Sequence, residues 1–115
     1  MTNYKDARAL VDEHFSGMSG VHTNLNACLS IFGLMIGGTD VTRVLSELVA
    51  MGQDNDCTAA TAGSIVGAIV GKKGIPEHWY KNFNNIVDTY LIGVGEMQID
   101  DVLKRFAALA KEIYK

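Results

Sequence analysis

Residues 51–70 read MGQDNDCTAATAGSIVGAIV, with Asp54 and Asp56 one residue apart and then no charged side chain from Cys57 to Val70. A long run of small and apolar residues is a helix with no wet face, so other elements must cover it. An acidic residue at the start of such a helix can accept hydrogen bonds from its unpaired N–H groups and is favoured by the positive end of its dipole. One cap suffices, however, and a second carboxylate beside it adds repulsion that a cation would relieve. Oxygen ligands with no histidine alongside suit a hard ion such as magnesium, calcium or manganese. Helix cap and metal ligand both stay open for Asp54 and Asp56 on these grounds. An EF-hand loop does not: with Asp54 as first ligand, the turn glycine would be Ala59 and the closing glutamate Ile65.

Upstream, LNACLSIFGLMI at residues 25–36 is also apolar on all sides and predicts a second buried helix, capped by Thr23 and closed by Gly37 and Gly38. Between the two, Thr39 or Asp40 caps a helix carrying Val41, Val44, Leu45, Leu48 and Val49 on one stripe, which Gly52 ends. Ala7, Leu10, Val11 and Phe15 mark an amphipathic helix over 4–15. Downstream, Pro76 opens a short helix, residues 82–98 read as a further short helix in which IVDTYLI at 86–92 is also readable as a short strand, and Asp100 caps a last helix with Val102, Leu103, Phe106, Leu109 and Ile113 on its apolar face. The expected fold is an all-α bundle of about five to six helices. Gly63, Gly67 and Gly71, four residues apart, predict close helix packing along a side without Cβ atoms.

At 115 residues, with 48% hydrophobic and 20% charged residues, the chain is expected to form a single domain over 1–115. Its net charge of −3, with basic residues scattered, offers no footprint for a nucleic acid. No apolar run approaches the roughly 20 residues of a membrane span, and no signal-peptide pattern opens the sequence. Cys28 and Cys57 are too few for a disulfide framework, so free thiols and a cytoplasmic location are expected. Two helices apolar on all sides and only three amphipathic ones leave apolar surface uncovered. A second copy, a partner protein or more of a longer polypeptide would supply the cover.

GMSGVHTNLNA at 17–27, followed by GQDNDCTAATAGSIVGAIVGKKGIPEHW at 52–79, resembles the C-terminal portion of the ADP-ribosylglycohydrolase family. In that family a D-x-D-[T/S/C] motif opens a central helix rich in alanine and glycine, and an I-P-x-x-W segment follows. The resemblance implies an all-α fold and a site for two metal ions, usually magnesium, that hold the ribose hydroxyls and the water attacking the anomeric carbon. It implies that Asp54 and Asp56 are metal ligands and that Cys57 stands where the family most often has a threonine or serine. A thiol is softer than magnesium prefers, so coordination by Cys57 stays open. His22 in the VHT stretch is a candidate for substrate binding, with a hydrogen bond to the loop backbone as the alternative. The family's N-terminal acidic motifs, of the T-D-D and G-D-x-x-G types, have no counterpart here, and GGTDV at 37–41 reads better as a helix start.

The expectation is therefore half of a dinuclear magnesium site in a hydrolase of N- or O-glycosidic bonds to ADP-ribose, inactive alone and completed by another chain, in a homo- or hetero-oligomer. The alternative is a non-catalytic helical module that oligomerises through its apolar faces. His14 and His78 have no second ligand at a suitable spacing, and Trp79 is either a core anchor or a stacking surface.

Overall fold

The structure, a computed structural model, describes residues 2–114. They fall into two compact units, one ending at Pro76 and the other beginning at Glu77.

The first unit holds four helices: α1 (Tyr4–His14), α2 (Thr23–Gly37), α3 (Val41–Met51) and α4 (Asn55–Gly74). Helix α3 packs on both α2 and α4, α2 also reaches α4, and α1 lies against α2 and α3. The shared core is Ala7 and Val11 of α1, Leu25 and Leu29 of α2, Val44, Leu48 and Met51 of α3, and Ala62 and Val66 of α4, all buried. Local chemistry sets the ends. Asn3 Oδ1 accepts from the N–H of Lys5 at 2.9 Å and of Asp6 at 3.3 Å. Asp40 caps α3 by accepting from Arg43 N at 3.0 Å, so GGTDV is a helix start. Glu47 of α3 accepts from Tyr4 N at 2.6 Å and holds the head of α1.

Three expectations are corrected here. Helix α2 is capped by His22, not Thr23. Helix α4 begins at Asn55, not Cys57, and its regular turns stop at Gly71, whose φ of 64° breaks the helical path. Neither α2 nor α4 is buried on all sides. Leu25, Leu29 and Gly33 of α2 are inside, but Ile31 and Met35 are 54% and 76% exposed, as are Ile65 and Ile69 of α4 at 44% and 64%. The apolar residues encircle both helices, while the neighbours within the unit cover only one side of each.

The glycines of closest approach lie on α2. A Cβ on Gly33 would sit 2.7 Å from both Cδ atoms of Leu48, and one on Gly37 would sit 2.5 Å from the Val44 backbone nitrogen. That is how α2 and α3 meet so tightly. Of the α4 series, Gly63 faces Leu45 at 3.1 Å, Gly67 has only ordinary contact with Ile75 at 3.7 Å, and Gly71 touches nothing and serves the turn.

The second unit contains 3-10 turns at Glu77–Trp79 and Lys81–Phe83, strands β1 (Ile86–Asp88) and β2 (Glu96–Gln98), and helix α5 (Ile99–Ile113). Of the two readings of residues 86–92, helix and short strand, the helix is corrected: residues 86–98 form an antiparallel hairpin pairing Ile86 with Gln98, Val87 with Met97 and Asp88 with Glu96. The cause is local: Asn84, Asn85, Gly93 and Gly95 all have positive φ, at 51°, 59°, 79° and 61°, which no right-handed helix tolerates. β-branched Ile86 and Val87 suit a strand between them. The cap of α5 differs as well. Asp100 lies in its first turn, and Asn85 does the capping, taking Ile99 N on its carbonyl at 2.8 Å and Asp100 N on Oδ1 at 3.1 Å. No residue of α5 is buried. The elements remain essentially all-α, and no helix among the described residues is long and apolar enough to cross a membrane.

Candidate metal centre

The loop between α3 and α4 carries the acidic pair, and neighbouring elements fix it from several sides. Gly52 and Gln53 both adopt left-handed conformations, with φ of 73° and 62°, and turn the chain sharply out of α3. For a side-chain-bearing residue such as Gln53 this costs about 1–2 kcal/mol, so surrounding contacts must hold it. Arg8 of α1 donates through Nη1 to the carbonyl of Met51, which closes the end of α3. The Arg8 guanidinium is itself held through Nε by both carboxylate oxygens of Asp12, at 2.7 and 2.8 Å. Asn55 reaches back to the carbonyl of Val49 at 3.2 Å, which explains an amide between the two carboxylates. Gly20, on the loop before α2, leaves room for the Gln53 side chain, whose Oε1 occupies the place a Cβ would need.

Asp54 stands at the N-cap position of α4, yet its side chain makes no capping hydrogen bond. Its backbone carbonyl starts the helix by accepting from Thr58 N at 3.0 Å. The carboxylate is instead engaged from α2: Asn26 Nδ2 donates to Asp54 Oδ2 at 2.5 Å. Asp56 and Cys57 follow in the first turn, both exposed. Asp54, Asp56 and Cys57 each offer a ligand atom, and these atoms lie within 4.8 Å of one another. The structure thus brings together all three residues expected as metal ligands.

The donor chemistry distinguishes them. Cys57 has its thiol pKa pushed up, first by a side-chain hydrogen bond to Asp54 and then by the charge of that carboxylate, with smaller contributions from desolvation and Asp56. A thiol kept protonated is a donor to Asp54 and a poor partner for a hard cation. The carboxylates suit magnesium or manganese. A further oxygen adds to the fit: Asn26 Oδ1 is buried and has no hydrogen-bond partner. An unmet buried acceptor costs about 1–3 kcal/mol, and on the amide that binds Asp54 it suits an incoming cation or donor. The residues present therefore fit a hard divalent ion, with Cys57 outside the preferred donor set.

His22 is placed at the head of α2, where Nδ1 accepts from Asn24 N at 3.2 Å. That bond leaves its ring a cap for the helix, the backbone role foreseen as the alternative to substrate binding. Asn26, one turn further on, is the residue that sequence reasoning missed. Its signal was a second asparagine opening an otherwise apolar helix, four residues after His22.

Compared with known proteins, the chain is matched by the ADP-ribosylglycohydrolase family model over residues 2–114. The chain belongs to the ADP-ribosylglycohydrolase family. No curated protein and no solved structure gave a significant match. The match extends past the acidic loop and the helix behind it to the hairpin and α5, so both compact units are parts of an ADP-ribosylglycohydrolase sequence. The family is a hydrolase family and generally metal-dependent.

Proposed function

We propose that this chain provides half of a dinuclear magnesium site for the hydrolysis of an N- or O-glycosidic bond to ADP-ribose, and that it is inactive alone. The observation that carries this reading is the cluster of Asp54, Asp56 and Cys57 within 4.8 Å at the head of α4, in a chain of the ADP-ribosylglycohydrolase family. Asp54 and Asp56 would hold the ions. When bound, such ions orient the ribose hydroxyls and lower the pKa of the attacking water. Asp54 presents its carboxylate from a helix end fixed by Arg8, Asn55 and Asn26, and the Cys57 thiol donates a hydrogen bond to that carboxylate.

Two octahedral ions need about twelve ligand positions, and a single loop with two carboxylates supplies a small share. The remaining acidic ligands would come from an N-terminal partner or another chain, in a homo- or hetero-oligomer. Exposed Met35, Ile65 and Ile69 on α2 and α4 support such a partner, because each is a large apolar side chain that a covering element would bury. Free Cys28 and Cys57 fit a reducing compartment, the cytoplasm. The test is calorimetric titration of magnesium into wild type and Asp54→Ala, with and without a polypeptide bearing the acidic T-D-D motif, together with an assay of ADP-ribose release. Binding should depend on Asp54, and release should require the added polypeptide. Magnesium affinity unchanged by Asp54→Ala would refute the metal assignment, and ADP-ribose release by the chain alone would refute its inactivity.

A further inference from the structure

We propose that Asn26 is a positioning residue for the cation: it takes one oxygen of Asp54, so that Asp54 offers a single oxygen to the metal, and contributes its own buried amide oxygen to the same site. This inference rests on the metal reading of the acidic loop. Three observations carry it. Asp54 occupies a capping position without capping, so the backbone N–H groups of its own helix do not set its side-chain orientation. Besides the thiol of Cys57 on the same helix, its carboxylate is held by Asn26 Nδ2, 28 positions earlier and on a different helix. Finally, Asn26 Oδ1 is buried without a partner. The amide orientation is fixed by its neighbour, because reversing it would set Oδ1 against the carboxylate oxygen and repel it.

The placement of Asn26 is itself rigid. Its N–H donates to the His22 carbonyl at 3.0 Å within the capped first turn of α2, and the far end of α2 is locked onto α3 by the near-contact at Gly33 and Gly37. Asp54 thus takes its orientation from a helix that cannot slide or roll. Partners that orient a metal ligand typically change metal affinity about 10- to 100-fold when removed.

The experiment titrates Mn2+ into the full chain and reads free Mn2+ by electron paramagnetic resonance, a measure that needs no turnover. It compares wild type, Asn26→Ala, Asp54→Ala and the double variant, with circular dichroism to verify folding. Asn26→Ala should weaken Mn2+ binding about 10-fold or more, and its effect should be smaller in the Asp54→Ala background, where only the amide oxygen is left to lose. A second variant, Asn26→Asp, places a carboxylate against Asp54. It should melt below wild type without metal, and saturating Mn2+ should raise its melting temperature more than that of wild type. Wild-type Mn2+ affinity in Asn26→Ala, with binding lost in Asp54→Ala, overturns the role of Asn26 and leaves the metal site standing. Equal Mn2+-induced stabilisation of Asn26→Asp and wild type also overturns it. Absence of Mn2+ binding by wild type overturns the metal reading and this role together.

Discussion

Replacing Gly33 or Gly37 of α2 by alanine should destabilise the first unit, whereas the same change at Gly67 of α4 should stabilise it. In each case alanine gains helix propensity, up to about 1 kcal/mol in a helix interior. What differs is the wall that the new methyl meets. At Gly33 it would lie 2.7 Å from both Cδ atoms of Leu48, and Leu48 is fully buried, so its methyls have no free space to enter. Overpacking of this kind costs about 1–3 kcal/mol, leaving a net loss of about 1 kcal/mol. At Gly37 the methyl would lie 2.5 Å from the backbone nitrogen of Val44 and 2.7 Å from its Cα. No rotamer change relieves that, and reaching ordinary contact of about 3.5 Å requires α2 and α3 to separate by about 1 Å. The net loss should be about 2 kcal/mol or more. At Gly67 the nearest atom is 3.7 Å away, so the propensity gain of about 0.5–1 kcal/mol is retained.

Urea unfolding followed by far-UV circular dichroism reads mainly the four helices of the first unit together with α5, and fluorescence of Trp79 reports the second unit separately, so that its contribution can be identified. For a unit of this size 1 kcal/mol corresponds to about 4–8 °C in melting temperature. The expected order of stability is Gly67→Ala, wild type, Gly33→Ala, Gly37→Ala. A Gly37→Ala variant as stable as wild type would refute the close approach of α2 and α3, and a Gly67→Ala variant less stable than Gly33→Ala would refute the assignment of the tight face to α2.

Two further outcomes follow from the acidic loop. Cys57 is exposed but its thiol is shifted up by Asp54, so alkylation at pH 8 should be slower than for an unfolded-chain cysteine, and Asp54→Asn should move the rate profile to lower pH. An equal rate in both proteins would contradict the hydrogen bond. Because the folded thiol pKa is raised, its contribution to stability is fully present below the unfolded thiol pKa and is lost as pH rises through the folded one. Arg8→Met keeps the aliphatic stem and removes the donor to Met51; it should cost about 1–2 kcal/mol, measured by the same urea unfolding, and a loss below 0.3 kcal/mol on that scale, on the order of a weak surface contact, would show that the latch does not hold the loop.

The parts of this fold that could be read from sequence are those decided within a few residues. The stripe of Val44 and Leu48, with Asp40 before it and Gly52 after it, gives α3 and its ends from local chemistry alone. The hairpin at 86–98 needed knowledge that Asn84 and Asn85 take left-handed conformations, and asparagine also occurs in helices. The cap of α5 could not be found locally either, because Asn85 reaches it across the hairpin while Asp100 carries the expected residue type. Likewise, glycines at 33, 37, 63 and 67 look alike in the sequence, and only the facing residue decides which ones are required.

Asp54 shows the same competition at the site itself. Its position and residue type fit a helix cap, a bond worth about 1 kcal/mol. The alternative is a charge-assisted bond from Asn26 in a part-buried setting, and hydrogen bonds to charged groups contribute about 1.5–3 kcal/mol. Either bond of the carboxylate is charge-assisted, and the structure has it engaged by Asn26 and by the Cys57 thiol rather than by the backbone N–H groups of α4. The N–H groups at the head of α4 then keep their positive end free of Asp54 while two carboxylates stand beside it. A residue pattern that reads as an ordinary helix start is therefore reorganised by one amide on α2, and the candidate metal centre depends on that pairing as much as on the acidic motif.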